Sequence, residues 1–205
     1  MNSLYKRRSL RTETSSHQPA VTMVSDFRKK KLLHLFNKFF DRDGSGSVDK
    51  KDFEQAAENI SKLRGWKQGD AKYKETLDTL LKVWDGLQSV ADANKDGEVT
   101  ADEWVSMWEA YAKNPSSAYD WQNQYCKFIF QLEDASNDGA IDSEEFSTVY
   151  ASFGLNKDEA VAAFQKMAKG KANVSWPEFQ ELWKEYFVTE DPNAPGNFIF
   201  GRSSF

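Results

Sequence analysis

Residues Asp41 to Asp52 read DRDGSGSVDKKD. Carboxylates stand at the first, third, ninth and twelfth positions of this stretch, and a glycine stands at the sixth. Carboxylates crowded into so short a loop repel one another unless a cation lies between them. A glycine permits the sharp turn that would wrap the chain round such a cation. The stretch therefore predicts a loop that binds a divalent metal ion.

The same pattern recurs as DANKDGEVTADE, which starts at Asp92, and as DASNDGAIDSEE, which starts at Asp134. Each copy has glycine at position 6, a β-branched apolar residue at position 8 and an aromatic residue directly after position 12. This is the EF-hand pattern, in which side chains at positions 1, 3, 5, 9 and 12 and the carbonyl of position 7 surround calcium. Three copies predict three Ca²⁺ sites, with the ligands Asp41, Asp43, Ser45, Ser47, Asp49 and Asp52; Asp92, Asn94, Asp96, Glu98, Thr100 and Glu103; and Asp134, Ser136, Asp138, Ala140, Asp142 and Glu145.

A fourth copy is present in outline at residues 167–178. It keeps Val174 at position 8 and Glu178 at position 12. Positions 1, 3 and 5 hold Met167, Lys169 and Lys171, which are not calcium ligands, and position 6 is not glycine. We expect this hand to bind no metal and to complete a pair with the third hand.

Outside the loops, the spacing of apolar residues is helical and no long strand-like alternation occurs. We therefore predict an all-α fold, with two EF-hand pairs in one compact body, and we expect the apolar residue at position 8 of each loop to pair with its counterpart in the partner loop. Helices are expected after Ser25, from about Lys50, and over 71–90, 101–113, 117–132, 143–153, 157–168 and 176–187. The expected domains are a tail at 1–22, an N-terminal pair at 23–113, a C-terminal pair at 114–187 and an extended C-terminal tail at 188–205.

The first 22 residues are basic, rich in Ser and Thr and poor in apolar side chains. Such a segment cannot bury enough surface to fold alone, so we expect a disordered tail. Two other interpretations stay open. The segment could be a transit peptide, although it shows no clear apolar stripe, or Ser9 could be a kinase target after Lys6-Arg7-Arg8. Met23 could equally start a shorter isoform.

Composition limits the partners of the chain. The formal net charge is −5, which gives no support to a nucleic-acid partner, and no apolar run approaches the length of a membrane span. The single cysteine, Cys126, excludes an intramolecular disulfide and fits a reducing compartment. We expect a cytoplasmic monomer.

Several stretches resemble one group of EF-hand proteins: MVSDFRKKKLLHLFNKFF, LRGWKQGD, DGEVTADEW, LEDASNDGAIDSEEF and EDPNAPGNFIFG. From Met23 to Phe205 the chain resembles the invertebrate sarcoplasmic calcium-binding proteins, above all their calexcitin branch. The same stretches resemble the insect juvenile hormone diol kinases. Three roles are open. The composition favours a calcium buffer, while the resemblance implies a calcium sensor with a target protein and GTP binding, or a kinase that transfers phosphate from ATP or GTP to juvenile hormone diol.

The sequence itself favours a binding protein over an enzyme. The phosphate-binding pattern GxxxxGK[ST] does not occur. Asp41-Arg42-Asp43-Gly44 resembles a GTPase motif but lies inside the first loop, and Asn156-Lys157-Asp158-Glu159 lacks the final Asp of a guanine-reading motif. We interpret His34 as a surface or edge residue and Cys126 as a packed thiol. Only four methionines occur, so the Met-rich groove of a calcium sensor is not expected.

The first loop differs from the other two at its closing position. Asp52 is one methylene shorter than the Glu found at this position in the second and third loops. A shorter arm reaches the ion less easily with both oxygens, which moves coordination towards the sixfold shell that magnesium demands. We therefore expect a mixed Mg²⁺/Ca²⁺ site in loop 1.

Overall fold

The computed structural model describes residues 24–115 and 120–205, which form helices joined by short loops and two small two-stranded antiparallel sheets. The helices are α1 Asp26–Leu35, α2 Lys50–Arg64, α3 Ala71–Ala91, α4 Ala101–Lys113, α5 Asp120–Glu133, α6 Ser143–Ser152, α7 Lys157–Ala168 and α8 Trp176–Val188. The strands are β1 Ser47–Val48, β2 Val99–Thr100, β3 Ala140–Asp142 and β4 Asn173–Ser175. The predicted all-α class is confirmed. The predicted tail at residues 1–22 and the first residues of the helix expected at 117–132 lie outside the described ranges.

The metal-binding pattern also starts the helices. Position 9 of each of the first three loops is the N-cap of the helix that follows, and position 12 is its third residue. The two side chains form a capping box, in which each accepts a hydrogen bond from the backbone N–H of the other. The pairs are Asp49 with Asp52, Thr100 with Glu103, and Asp142 with Glu145. The residues that would bind the ion therefore fix where the exit helix begins.

Short antiparallel strands join the hands two by two. Val48 of β1 is paired with Val99 of β2, and Ile141 of β3 is paired with Val174 of β4. All four side chains are buried. The apolar residues at position 8 thus join hands one and two, and hands three and four, as the sequence predicts.

An aromatic core joins the two pairs. Trp108 of α4 stacks on Phe187 of α8, with ring centroids 3.6 Å apart and planes 7° from parallel. Phe40, from the first hand, packs 5.2 Å from the ring of Tyr125 on α5. Five buried tryptophans and their neighbours form one continuous hydrophobic cluster, which contains residues of both EF-hand pairs. The two EF-hand pairs therefore form one compact body.

Two local features differ from the helical pattern. A π-helical turn, Phe36–Phe40, continues α1 into the first loop, and it places Phe36, Phe39 and Phe40 in the core together. Near the other end of the chain, the extended conformation expected at 188–205 is wrong for Pro195–Phe198, which form a 3₁₀-helix. Proline at its first position favours this turn, and the N–H of Gly196 donates to Glu185 Oε2 at 2.6 Å. The domain boundaries within the chain stay predictions.

Residues 198–200 lie in the core against the first hand. Phe200 packs 5.8 Å from Phe39, measured between ring centroids. The hydroxyl oxygen of Tyr150 lies 2.7 Å from the carbonyl oxygen of Ile199 and 2.6 Å from Glu133 Oε1. Burial raises the pKa of Glu133 well above its usual value. A protonated Glu133 that donates to Tyr150, whose own hydrogen goes to Ile199, satisfies both contacts.

A buried lysine connects α1 to the end of α8. Lys31 Nζ donates to the carbonyl oxygens of Tyr186 and Thr189 at 2.7 and 3.1 Å, and to Asn197 Oδ1 at 2.9 Å. Its side chain is almost completely inaccessible to solvent. Burial is the main cause that lowers the pKa of Lys31 to about 7. The cation serves as a cap for the last carbonyls of α8, supplied from the opposite end of the chain.

Within residues 24–115 and 120–205, no helix is both long enough and apolar enough to cross a membrane.

Candidate metal centres

Loop 1 gathers three carboxylates at one point. Oxygens of Asp41, Asp43 and Asp52 all lie within 4.8 Å of one another. Among the residues that the structure describes, this is the one group of three or more His, Cys, Asp or Glu side chains that is arranged in this way. Asp41 and Asp52 are buried while Asp43 is exposed, and burial raises the pKa of Asp52. Such a cluster is unfavourable unless a cation or a set of N–H groups faces it.

Backbone N–H groups converge on the same oxygens. Asp52 Oδ1 accepts from the N–H of Arg42 at 2.7 Å, and its Oδ2 accepts from the N–H of Asp49 at 2.9 Å. Asp41 accepts from the N–H groups of Ser45 and Gly46 at 2.9 and 3.0 Å. These bonds hold positions 1 and 12 across the loop from each other.

Two predicted ligands of loop 1 point elsewhere. Asp49 Oδ1 accepts from the N–H groups of Lys51 and Asp52, so this carboxylate caps α2 and does not join the cluster. The hydroxyl of Ser45 donates to the carbonyl oxygen of Ser47 at 2.9 Å. Position 9 of an EF-hand often acts through a water molecule, which agrees with a side chain that stands back from the centre.

Loop 2 contains one buried carboxyl oxygen that has no hydrogen-bond partner among the described residues. Asp92 Oδ2 accepts from the N–H of Gly97 at 3.0 Å, whereas Asp92 Oδ1 is buried and has no hydrogen-bond partner in the described part of the chain. Glu103 accepts from the N–H of Ala93 at 3.1 Å and from the N–H of Thr100 at 2.9 Å. The bonds from Thr100 are the main cause that lowers the pKa of Glu103. A buried carboxyl oxygen at position 1 that has no hydrogen-bond partner in the described part of the chain is suited to a cation.

Loop 3 repeats this geometry. Asp134 accepts from the N–H groups of Asp138 and Gly139 at 3.1 and 3.0 Å. Glu145 accepts from the N–H of Ser136 at 2.8 Å and from the N–H of Asp142 at 3.0 Å. The closing carboxylate therefore reaches back to the start of the loop, as it does in loops 1 and 2.

The backbone of the first three loops turns at two places. Position 6 is a glycine with φ between 90° and 93° in each loop, as predicted. Position 4 also has positive φ, although it is Gly44 in loop 1, Lys95 in loop 2 and Asn137 in loop 3. The sequence analysis missed this second turn, because Lys gives no local signal for positive φ. Glycine and asparagine at position 4 were the available clues.

Loop 4 carries a lysine where the other loops carry a ligand. Lys171 Nζ, at position 5, forms an ion pair with Glu178 Oε1, at position 12. Glu178 Oε2 accepts from the N–H of Ser175 at 2.9 Å. The Lys171 ammonium is the main cause that lowers the pKa of Glu178 to about 2. Positive φ falls at Lys169 and Gly170, that is at positions 3 and 4, so the backbone also takes a different course.

The donor sets of loops 1 to 3 fit calcium. Every side chain predicted to bind offers oxygen, which is what hard divalent cations prefer. The carboxylate cluster of loop 1 and the partnerless oxygen of Asp92 are the local features that a cation would satisfy. In each loop the carbonyl of position 7 belongs to a residue that enters a β-strand pairing or precedes it directly.

The two side chains considered as catalytic candidates are in unreactive surroundings. Cys126 is buried, and burial raises the pKa of its thiol to about 12. Burial and the nearby charges of Arg202 and Lys38 lower the pKa of His34 to about 4. The His34 ring lies between Phe39 and Phe205, with Arg202 Nη1 3.3 Å from its Nδ1. His34 is thus an edge residue that packs against the C-terminal segment, and Cys126 is a packed thiol.

Two models of known protein families match the parts of the chain that contain the loops. A family model described as an EF-hand domain pair matches residues 18–60, and a model described as EF hand matches residues 89–108 and 129–150. These intervals include loops 1, 2 and 3.

Curated relatives match most of the chain. Calexcitin-1 of Caenorhabditis elegans is 30% identical over 187 residues, which cover 89% of this chain and 90% of that protein. Sarcoplasmic calcium-binding proteins I, III and IV of Branchiostoma lanceolatum are 29% identical over 183 residues, with coverages of 87% and 98%. Neither name states a kinase activity, so the resemblance to juvenile hormone diol kinases gains no support from these two proteins.

Solved structures share the fold. A sarcoplasmic calcium-binding protein from amphioxus superposes with a TM-score of 0.72 at 26% identity, covering 87% of this chain and 98% of that chain. The apoaequorin complex with (S)-HM-daCTZ gives a TM-score of 0.64 at 14% identity, covering 87% and 93%. At that identity the second match shows the fold alone.

Proposed function

This chain belongs to the EF-hand family that includes calexcitin-1 and the sarcoplasmic calcium-binding proteins, and on that premise we propose that it is a calcium buffer with three metal sites. Calcium binding follows from the family. The number of sites, the identity of the ligands and the buffering role are the content of the proposal.

The proposed sites are loops 1, 2 and 3, with the ligands named above from their sequence positions. Calcium would be held at positions 1, 3 and 5, by the carbonyl of position 7, by position 9 through a water molecule and by the carboxylate of position 12. Loop 1 is proposed to take magnesium as well as calcium, because it closes with the shorter Asp52 and offers a compact cluster of three carboxylates. The cation would compensate the negative charge of these carboxylates, and the protein would supply the oxygen atoms that coordinate it.

The observation that supports buffering over sensing is the aromatic core. A calcium sensor opens a hydrophobic groove that is rich in methionine. Met107 and Met167 are both buried here, and the large side chains between the pairs are aromatic rings in mutual contact. Opening one pair would separate Trp108 from Phe187, which belong to different pairs. A core shared in this way resists opening of either pair alone.

A dye experiment tests the buffering role. A hydrophobic dye is added to the magnesium-loaded protein, and its fluorescence is followed as calcium is titrated. Some dye is expected to bind at all times, because an apolar groove of about 630 Å³ lies beside loop 4 and α8, lined in part by Met167, Leu182 and Val188. Under the proposal this baseline hardly changes with calcium. A large calcium-dependent rise would show a sensor that exposes a new groove.

The proposal places the protein in the cytoplasm, since its single thiol fits a reducing compartment. Neither a nucleotide nor juvenile hormone diol is included among its ligands, because no feature of the described residues favours either one. Phosphoryl transfer from ATP or GTP to juvenile hormone diol, measured with and without calcium, would contradict the assignment as a binding protein.

A further inference from the structure

We propose that Lys171 acts as a built-in cation that positions the fourth hand, and through it the third hand, for calcium binding in loop 3. The inference rests on the proposed function, since it requires that loop 3 binds calcium. The inference gives Lys171 a structural role in addition to the effect of its charge, which is to keep metal out of loop 4.

The geometry of the four position-12 carboxylates supports this role. In each loop, one oxygen of this carboxylate accepts from the N–H of position 9. In loops 1 to 3 the other oxygen accepts from a backbone N–H at position 2 or 3. In loop 4 the other oxygen is held by the Lys171 ammonium. A charged group of the chain therefore joins the two halves of loop 4, where a metal ion would join the halves of another loop.

The strand pairing carries this restraint to loop 3. Ser175, whose N–H is bonded to Glu178, is the last residue of β4 and is paired with Ala140 at position 7 of loop 3. Ile141 and Val174, the next pair, are both buried. A fixed β4 thus holds β3, and with it the carbonyl of Ala140 that is a proposed ligand. Calcium then meets a third loop with one side already ordered, which lowers the conformational cost of binding.

The size of the effect is limited by exposure. The side chains of Lys171 and Glu178 are 62% and 38% exposed, and ion pairs at the surface are weak. We therefore expect a change of about two- to fivefold in calcium affinity, not loss of binding. The direction is informative, because simple electrostatics predicts the opposite sign. Removal of a positive charge near loop 3 would by itself strengthen cation binding.

The test isolates loop 3 in the full-length chain. Asp52→Asn and Glu103→Gln weaken loops 1 and 2, and this double variant is the reference protein. Calcium affinity is measured by calorimetry at low salt for the reference and for the same chain carrying Lys171→Met, Lys171→Arg or Lys169→Met. Lys169→Met is the matched control. This substitution also removes a positive charge from loop 4, but Lys169 forms no ion pair among the described residues.

We expect Lys171→Met to weaken calcium binding by about two- to fivefold, and the Arg variant to keep the reference affinity. Lys169→Met should leave affinity unchanged or slightly higher. The loss in Lys171→Met should shrink as sodium chloride is raised, because salt screens exposed pairs. Glu178→Gln, which removes the other charge of the ion pair, should weaken calcium binding by loop 3 in the same way. This variant replaces Lys171→Met in the test if Lys171→Met fails to fold.

Two results would overturn the inference. Unchanged or stronger calcium binding in folded Lys171→Met would show that the ion pair does not position loop 3. An equal weakening in Lys169→Met would show a general effect of charge. If the reference protein itself bound no calcium, the proposed function of loop 3 would fail, and the inference would fail with it.

Discussion

The hydroxyl of Ser47 donates a 2.6 Å hydrogen bond to the Glu98 carboxylate, which joins position 7 of loop 1 to position 7 of loop 2. Each of these residues also offers its backbone carbonyl as a proposed metal ligand. The strand pairing beside them, Val48 with Val99, is buried. The two sites of the N-terminal pair are thus connected through the residues that would bind their ions.

Ser47→Ala is expected to reduce the coupling between loops 1 and 2. The bond is exposed, so the affinity of the pair should fall by only about two- to threefold. Calorimetry in a Glu145→Gln chain, where loop 3 is weakened, measures the pair. The same substitution in a Glu98→Ala chain should have no further effect, and additive losses would show that the hydrogen bond does not connect the sites.

Calcium stoichiometry should be three per chain. Loop 4 has Lys171 bonded to Glu178, whereas loop 1 gathers three carboxylates and loops 2 and 3 have Asp at position 1 and Glu at position 12. Glu103→Gln and Glu145→Gln should each remove about one strong site, because the closing carboxylate supplies charge as well as oxygen. Four bound ions in the wild-type protein would contradict the interpretation of residues 167–178.

Asp52→Glu should strengthen calcium over magnesium at loop 1 alone. The longer side chain could offer both oxygens and so favour the larger calcium shell. In the present structure Asp52 uses its two oxygens to hold Arg42 and Asp49 N–H groups, which keeps the loop compact. Calcium titration in the presence of magnesium measures the preference. An unchanged preference would mean that side-chain length at position 12 does not set selectivity.

Lys31→Met should destabilise the folded protein by about 1–3 kcal/mol, because three acceptors would lose their donor inside the protein. The comparison is with Lys30→Met, an exposed position on the same helix, which should have little effect. Chemical unfolding of both calcium-loaded variants measures the difference. Equal stability of the two would show that the Lys31 hydrogen bonds contribute nothing net.

Stability should fall as the pH is lowered from about 6.5 towards 4, in part through His34. Its folded pKa of about 4 lies below the usual value of 6.5, so in this window the unfolded chain binds a proton that the folded protein does not. Burial is the main cause, and His34 Nε2 is buried with no hydrogen-bond partner among the described residues. Glu159 opposes the shift, and Arg202 and Lys38 add to it.

His34→Gln tests this titration. Between pH 7 and 5 the free energy of unfolding should change by about 2 kcal/mol less in the variant than in the wild type, both measured with a chelator present. The chelator removes the separate effect of acid on metal binding. Parallel pH profiles would show that His34 titrates normally in the folded protein.

The helices and the metal loops were accessible from sequence because their signals are local. Capping residues and position 6 glycines each act within a dozen residues, and the repeat marks the equivalent apolar residues at position 8. The start of α4 at Ala101 and its end at Lys113, for example, agree with the range expected from the sequence. The pairing of Val48 with Val99 followed from the repeat itself.

Other features depend on contacts between distant parts of the chain. Lys31 lies in a run of basic residues and looks like a surface lysine in sequence, but its partners lie more than 150 residues away. The sequence likewise predicts that Lys171 keeps metal out of loop 4. It does not show that the side chain turns back to Glu178, since that depends on the positive φ of Lys169 and Gly170. The π-helical turn at Phe36–Phe40 also has no local signal and follows from packing of three rings.

The stacking of Trp108 on Phe187 has a consequence for how the protein is made. Synthesis proceeds from the N-terminus, so α1 and α4 emerge from the ribosome well before α8. Until Phe187 and Phe200 arrive, the rings of Trp108 and Phe39 lack part of their cover. The nascent chain therefore carries an exposed aromatic surface until α8 and the segment after it have been made. Final folding has to wait for α8 and the segment after it, and a chain truncated before α8 would expose these rings and be prone to aggregate.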